Sequence, residues 1–134
     1  MPPDSEVVFG TLDLVPNRFE GAGMRYLRFQ TELTRLHAQH NFTLVVFEEV
    51  RRHLSAASAT AYGAYKAFLM AWCEQNDVPY SSVPVGTWKK ALCGQGNASK
   101  ELVKQVVQRL GFPVKTFDEA DAVGIMLHAE KEFG

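Results

Sequence analysis

Phe42-Thr43-Leu44-Val45-Val46-Phe47-Glu48-Glu49 is the stretch on which the fold turns, a short continuous apolar run that stops abruptly at two acids. Such a run, rich in β-branched and aromatic residues, reads as a strand buried on both faces, as in a parallel or mixed sheet. Downstream, Ser55 caps a long helix that runs to about Gln75. Its small residues (Ala56, Ala57, Ala59, Ala61, Gly63, Ala64, Ala67 and Ala71) let another helix approach closely, from a second subunit or from within the core. Val78 to Val85 is a second strand, and Thr87 caps a short helical turn through Leu92. A Gly-Asn loop from Cys93 to Ala98 leads into a helix over Ser99 to Leu110, with Leu102, Val103, Val106, Val107 and Leu110 on its core face. Gly111 stops that helix, and a last one begins near Asp118 and runs to about Lys131.

Upstream of the decisive run, Glu6 to Leu14 is strand-like and ends at Pro16-Asn17, and Glu20 to Gln39 has helical spacing. Strands alternating with helices define an α/β layered domain, a mixed central sheet flanked by helices. With 134 residues, 46% of them hydrophobic, the chain is expected to form one domain over residues 1–134 with a real core. No apolar stretch approaches the ~18 residues of a membrane span, and the N-terminus lacks the basic start and apolar run of a signal peptide. Cys73 and Cys93 stand apart, without metal-ligand spacing, and read as reduced packing residues of a cytoplasmic protein. In that compartment the glycosylation triplet Asn41-Phe42-Thr43 is a coincidence.

The net charge of −1 does not advertise a nucleic-acid partner, but its distribution does more. Residues 81–115 carry Lys89, Lys90, Lys100, Lys104, Arg109 and Lys115 against Glu101 alone, whereas residues 116–134 carry Asp118, Glu119, Asp121, Glu130 and Glu132 against Lys131. A basic segment beside an acidic one suits a phosphate-cleaving metal site, where cations hold the nucleic-acid backbone and carboxylates hold the metal. On charge alone, two solvated faces of opposite sign is the simpler reading.

The chemistry-bearing residues narrow this. Glu48 ends the apolar strand, where ligands usually sit in α/β folds, and Glu49 points to the opposite face. Alone, the pair marks a strand's exit into solvent just as well. Asp118 and Asp121 are three apart at the start of a helix and share one face, while Glu119 points elsewhere. Carboxylates at that spacing can share a hard divalent cation such as Mg2+ or Mn2+, and acids in a first turn also complement the helix dipole. His128 follows seven residues after Asp121 on roughly the same face, where a structural role is the simpler one. Asp118-Glu119-Ala120-Asp121 also spells a helicase motif, but no Gly-x-x-x-x-Gly-Lys-Ser/Thr phosphate loop exists here, which excludes an ATPase.

Four segments in register resemble the RuvC-like Holliday junction resolvases, especially the small phage and prophage members. They are Phe47-Glu48-Glu49-Val50-Arg51-Arg52-His53, Val85-Gly86-Thr87-Trp88-Lys89-Lys90, Gly94-Gln95-Gly96-Asn97-Ala98-Ser99-Lys100 and Asp118-Glu119-Ala120-Asp121-Ala122. The resemblance implies an RNase H-like fold, a homodimer and divalent-metal cleavage of four-way DNA junctions. It implies catalytic, metal-holding carboxylates at Glu48, Asp118 and Asp121. Lys100 would act with them at the scissile phosphate, and Lys89, Lys90, Lys104, Arg51 and Arg52 would bind the DNA backbone.

One part of the family pattern is missing. A central strand with the first catalytic aspartate, in an Asp-x-Gly context, does not precede the other motifs. Asp13 in Gly10-Thr11-Leu12-Asp13-Leu14 is followed by Val15-Pro16-Asn17 instead of a glycine turn, and reads as structural. The expectation is that the strand lies upstream of Met1, or that the chain is a degenerate member that binds branched DNA; in either case this chain is expected to cut weakly or not at all. An RNase H acting on RNA–DNA hybrids and an oligomerisation module built on the Ala-rich helix are the competing readings.

Overall fold

The computed structural model describes residues 7–134. Along the chain run α1 (Met24–His40), β1 (Val45–Glu49), α2 (Ala56–Gln75), β2 (Tyr80–Pro84), α3 (Val85–Cys93), α4 (Lys100–Arg109) and α5 (Phe117–Phe133). β1 and β2 pair as a two-stranded parallel sheet, with α2 as the long crossover that a parallel pair requires. The α/β class expected from the alternation of patterns is the class that forms.

Two expectations about strands are corrected. The strand expected over Glu6 to Leu14 does not form in the described part, residues 7–14, which has no regular structure; Glu6 lies outside the described residues. A strand-like pattern becomes a strand only when a neighbour takes up its backbone groups, and the described sheet holds β1 and β2 alone. Phe9 packs its ring against the hydrophobic core instead. β1 starts three residues later than the apolar run and takes in Glu48 and Glu49. All five of its residues are partly exposed, not enclosed on both faces, because one neighbouring strand covers it incompletely.

The helices begin where side chains can satisfy their first N–H groups. Ser55 caps α2 by accepting the Ser58 N–H, and Ser58 answers with its hydroxyl. Ser99 caps α4 through the Leu102 N–H at 3.1 Å. α1 starts at Met24, later than Glu20, because Glu20 accepts the Asn17 N–H and pairs with Arg28, which holds residues 17–20 in a turn. α3 follows β2 directly with Pro84 at its cap, so Thr87 lies inside the helix and caps nothing. Leu110, expected on the core face of α4, is its exposed C-cap residue, and Gly111 adopts the left-handed φ of +100° that ends the helix.

The described residues divide into two compact units. One comprises the residues up to Thr11, Val46–Glu49 and Ser82–Gly134. There α3, α4 and α5 pack on one another around Val83, Trp88, Ala98, Val103, Val107, Val114, Ala120 and Val123. The other comprises Leu12–Val45 and Val50–Ser81. There α1 packs on α2 through Tyr26 stacked on Phe68 and edge-on to Tyr65, and Trp72 donates its indole N–H to Thr34 at 3.0 Å. Cys73 is buried, Cys93 half-buried, and both are free thiols whose burial raises their pKa, in keeping with packing roles. No helix among the described residues is long and apolar enough to cross a membrane.

The contact of α5 with α3 is tight enough to test. A Cβ on Gly124 would fall 2.7 Å from Cζ3 of the fully buried Trp88 and 3.2 Å from Leu92. Gly124→Ala gains up to ~1 kcal/mol of helix propensity but overpacks a rigid ring at about 1–3 kcal/mol. A lowered thermal midpoint with a changed indole fluorescence is the expected result, read by calorimetry and emission spectra.

Candidate functional site

α5 owes its position to a reciprocal cap. Thr116 accepts the Glu119 N–H at 3.1 Å, and Glu119 Oε1 accepts the N–H groups of Lys115 and Thr116 at 2.8 and 3.1 Å. Glu119 is thereby committed to the helix end, which leaves Asp118 and Asp121 as the acids of the opening turns. Asp118 is exposed and Asp121 half-buried. Glu48 is half-buried on β1, and its Oε2 accepts the indole N–H of Trp88 at 3.2 Å.

Electrostatics tie these groups together at Asp121. Its carboxyl is pushed up from 3.8 to about 6, first by burial, then by the negative charge of Glu48, with Asp118 adding to the effect. The charges of Lys89 and Lys100 act in the opposite direction. Glu48, Asp118, Asp121, Lys89 and Lys100 therefore form one interacting charge cluster within the first unit.

Backbone geometry places the two lysines. Lys89 lies on α3, with its Nζ 5.8 Å from the centroid of the Trp88 ring. Lys100 is the exposed first residue of α4. The loop between these helices is pressed against the start of α3, where a Cβ on Gly96 would lie 3.2 Å from the Gly86 carbonyl oxygen. Glycine in this loop thus serves close backbone approach.

The remaining candidates are distributed differently. Lys90 is exposed on α3, and Lys104 on α4 stands 5.6 Å over the Phe117 ring. Arg51 and Arg52 are exposed just after β1 and belong to the second unit. Asp13 is exposed in that unit and accepts the Val15 N–H at 3.2 Å, a local turn contact consistent with a structural residue. His128 lines a cavity of 280 Å³ with Trp88, Gly124 and Lys131. The participant without an assigned role in the sequence is Trp88. A tryptophan that becomes buried needs an acceptor for its N–H, and that need was its one signal.

The donor set suits a hard divalent cation. Three carboxylates of one cluster, one of them desolvated and repelled by the others, are the groups such an ion stabilises. Among the described residues no three His, Cys, Asp or Glu side chains stand close enough to enclose an ion.

The raised Asp121 pKa has a consequence for stability. The folded protein holds this proton to higher pH than the unfolded chain, so stability falls as pH rises from about 4 to about 6. Asp121→Asn removes that loss. Its thermal midpoint relative to the parent is expected to rise progressively between pH 4 and 7, followed by scanning calorimetry without divalent cations. A constant difference across that range contradicts the assignment.

No family model matches the chain. Over 86 residues, 64% of its length, it is 33% identical to the crossover junction endodeoxyribonuclease RuvC of Chlamydia trachomatis serovar L2 (strain 434/Bu), with the same values for that of serovar A. The chain spans about half, 51%, of the length of these relatives. Among solved structures it is similar to Thermus thermophilus RuvC in complex with Holliday junction substrate, with a TM-score of 0.76 and 22% identity, covering 87% of this chain and 73% of that one. A second Thermus thermophilus RuvC structure gives a TM-score of 0.69 at 20% identity, covering 87% and 74%. The chain therefore shares the RNase H-like fold of these RuvC structures and is similar in sequence to RuvC over the matched 86 residues.

Proposed function

We propose that the chain is a divalent-metal-dependent endonuclease of the small phage RuvC-like kind, cleaving branched DNA at four-way junctions as a homodimer. The observation that carries this reading is the charge cluster around Asp121, three carboxylates and two lysines contributed by β1, α3, α4 and α5. The similarity to RuvC, one structure of which holds a Holliday junction substrate, supports the choice of substrate. The exposed small residues Gly63, Ala67 and Ala71 of α2, spaced four apart, support a close helix contact with a second copy.

In this reading Glu48, Asp118 and Asp121 would hold Mg2+ or Mn2+. When bound, the ion supplies Lewis-acid polarisation of the phosphate and acidifies a water. Lys100 sits at the N-terminus of α4, where backbone N–H groups and the helix dipole also favour an anion, and it neutralises charge developing on the phosphate. Lys89 offsets the carboxylates from the α3 side. Lys90, Lys104, Arg51 and Arg52 contact backbone phosphates, which makes binding salt-dependent.

Asp13 favours a second reading, a branched-DNA binder that does not cut. Its carboxylate accepts the Val15 N–H in a local turn, and it is not among the charges that act on Asp121. A labelled synthetic four-way junction separates the two. With Mg2+ the parent is expected to cut it weakly, and in preference to a linear duplex and an RNA–DNA hybrid. Glu48→Gln and Asp118→Asn are expected to abolish cutting, and Lys100→Ala to slow it about 100-fold. All three should retain junction binding in Ca2+. Tight binding by a parent that leaves the junction whole supports the second reading.

A further inference from the structure

Trp88 is fully buried, so its indole N–H has no water to bond and depends on a protein acceptor. That acceptor is Glu48 Oε2, 40 residues away in sequence and on β1. The opposite edge of the ring is seated on α5, where Gly124 leaves no room for a Cβ against Cζ3 and Cε3. Gly124 follows Asp121 by three residues, close to one helical turn. Lys89 stands over the same ring while its charge acts on Asp121. One rigid indole thus touches the strand that carries Glu48, the helix that carries Asp118 and Asp121, and a lysine of the cluster.

We propose that Trp88 is a positioning residue. Its N–H fixes the direction of the Glu48 carboxylate relative to the two α5 aspartates, and so sets the affinity of the site for a divalent cation. The inference rests on the reading of these carboxylates as a cation site. Groups that hydrogen-bond a metal-ligating carboxylate typically change metal affinity or activity by about 10–100-fold when removed. The fixed ring edge on Gly124 leaves the indole little freedom to turn, so the direction of the N–H is set by packing.

Mn2+ binding, measured by electron paramagnetic resonance on the full chain without DNA, tests this independently of cleavage. Trp88→Phe keeps an aromatic ring and deletes the N–H; it is expected to weaken Mn2+ binding about tenfold or more. Trp72→Phe, in the α1–α2 unit, should bind as the parent does. In 15N-indole-labelled protein, the Trp88 N–H resonance, assigned by its absence from Trp88→Phe, should shift with Glu48→Gln. Replacing Trp88 by β-(3-benzothienyl)alanine, which keeps the bicyclic shape without the N–H, gives the same comparison where Trp88→Phe does not fold. Parent-like Mn2+ affinity in the N–H-deleted variant, or an indole resonance indifferent to Glu48→Gln, overturns the positioning role alone. A parent that takes up no Mn2+ overturns the cation-site reading itself.

Discussion

The half-buried negative charge of Asp121 constrains everything around it. Its carboxyl is desolvated, repelled by Glu48 and Asp118, and relieved only in part by Lys89 and Lys100, which leaves it near pH 6. A folded chain that served stability alone would replace such an acid by a neutral residue, since a desolvated charge without a full complement destabilises the native state. An acid desolvated by burial and repelled by specific neighbours is a candidate functional group, which is the role proposed for Asp121. In the proposed reading a divalent cation would balance the carboxylate charge at such a place.

The scaffold serves that cluster through short-range packing. The reciprocal cap of Thr116 and Glu119 sets where α5 begins and keeps Glu119 out of the site. Seating of the Trp88 ring on Gly124 sets how closely α3 approaches α5. The close approach of Gly96 to Gly86 holds the α3–α4 loop that separates Lys89 from Lys100. Each of these contacts is local in sequence or buried, so short-range packing sets the backbone that carries the cluster.

Much of this was legible in the residues. The three-residue spacing of Asp118 and Asp121 on a helix is a matter of periodicity, and the apolar run before Glu48 marks a strand. The four motifs in register led to RuvC, which the sequence and structural similarities bear out. Other features depend on partners distant in the chain. The pattern of residues 7–14 suits a strand, yet a ladder requires a neighbour that the pattern does not name. The cap of α3 moved to Pro84 because β2 runs directly into the helix, which makes Thr87 interior. The bond from Trp88 to Glu48 joins residues 40 apart, beyond any local spacing rule. Thr116-Phe117-Asp118-Glu119 did spell the capping box that occupies Glu119, and there the information was local and complete.

The convergence of Glu48 with the α5 aspartates is the central claim, and titration of Asp121 tests it most directly. Carbon-detected NMR of the metal-free protein follows the Asp121 carboxyl in the parent and in Glu48→Gln. The account predicts a midpoint near pH 6 in the parent and a clearly lower one in the variant. A midpoint near 3.8 in both, the ordinary aspartate value, would contradict it.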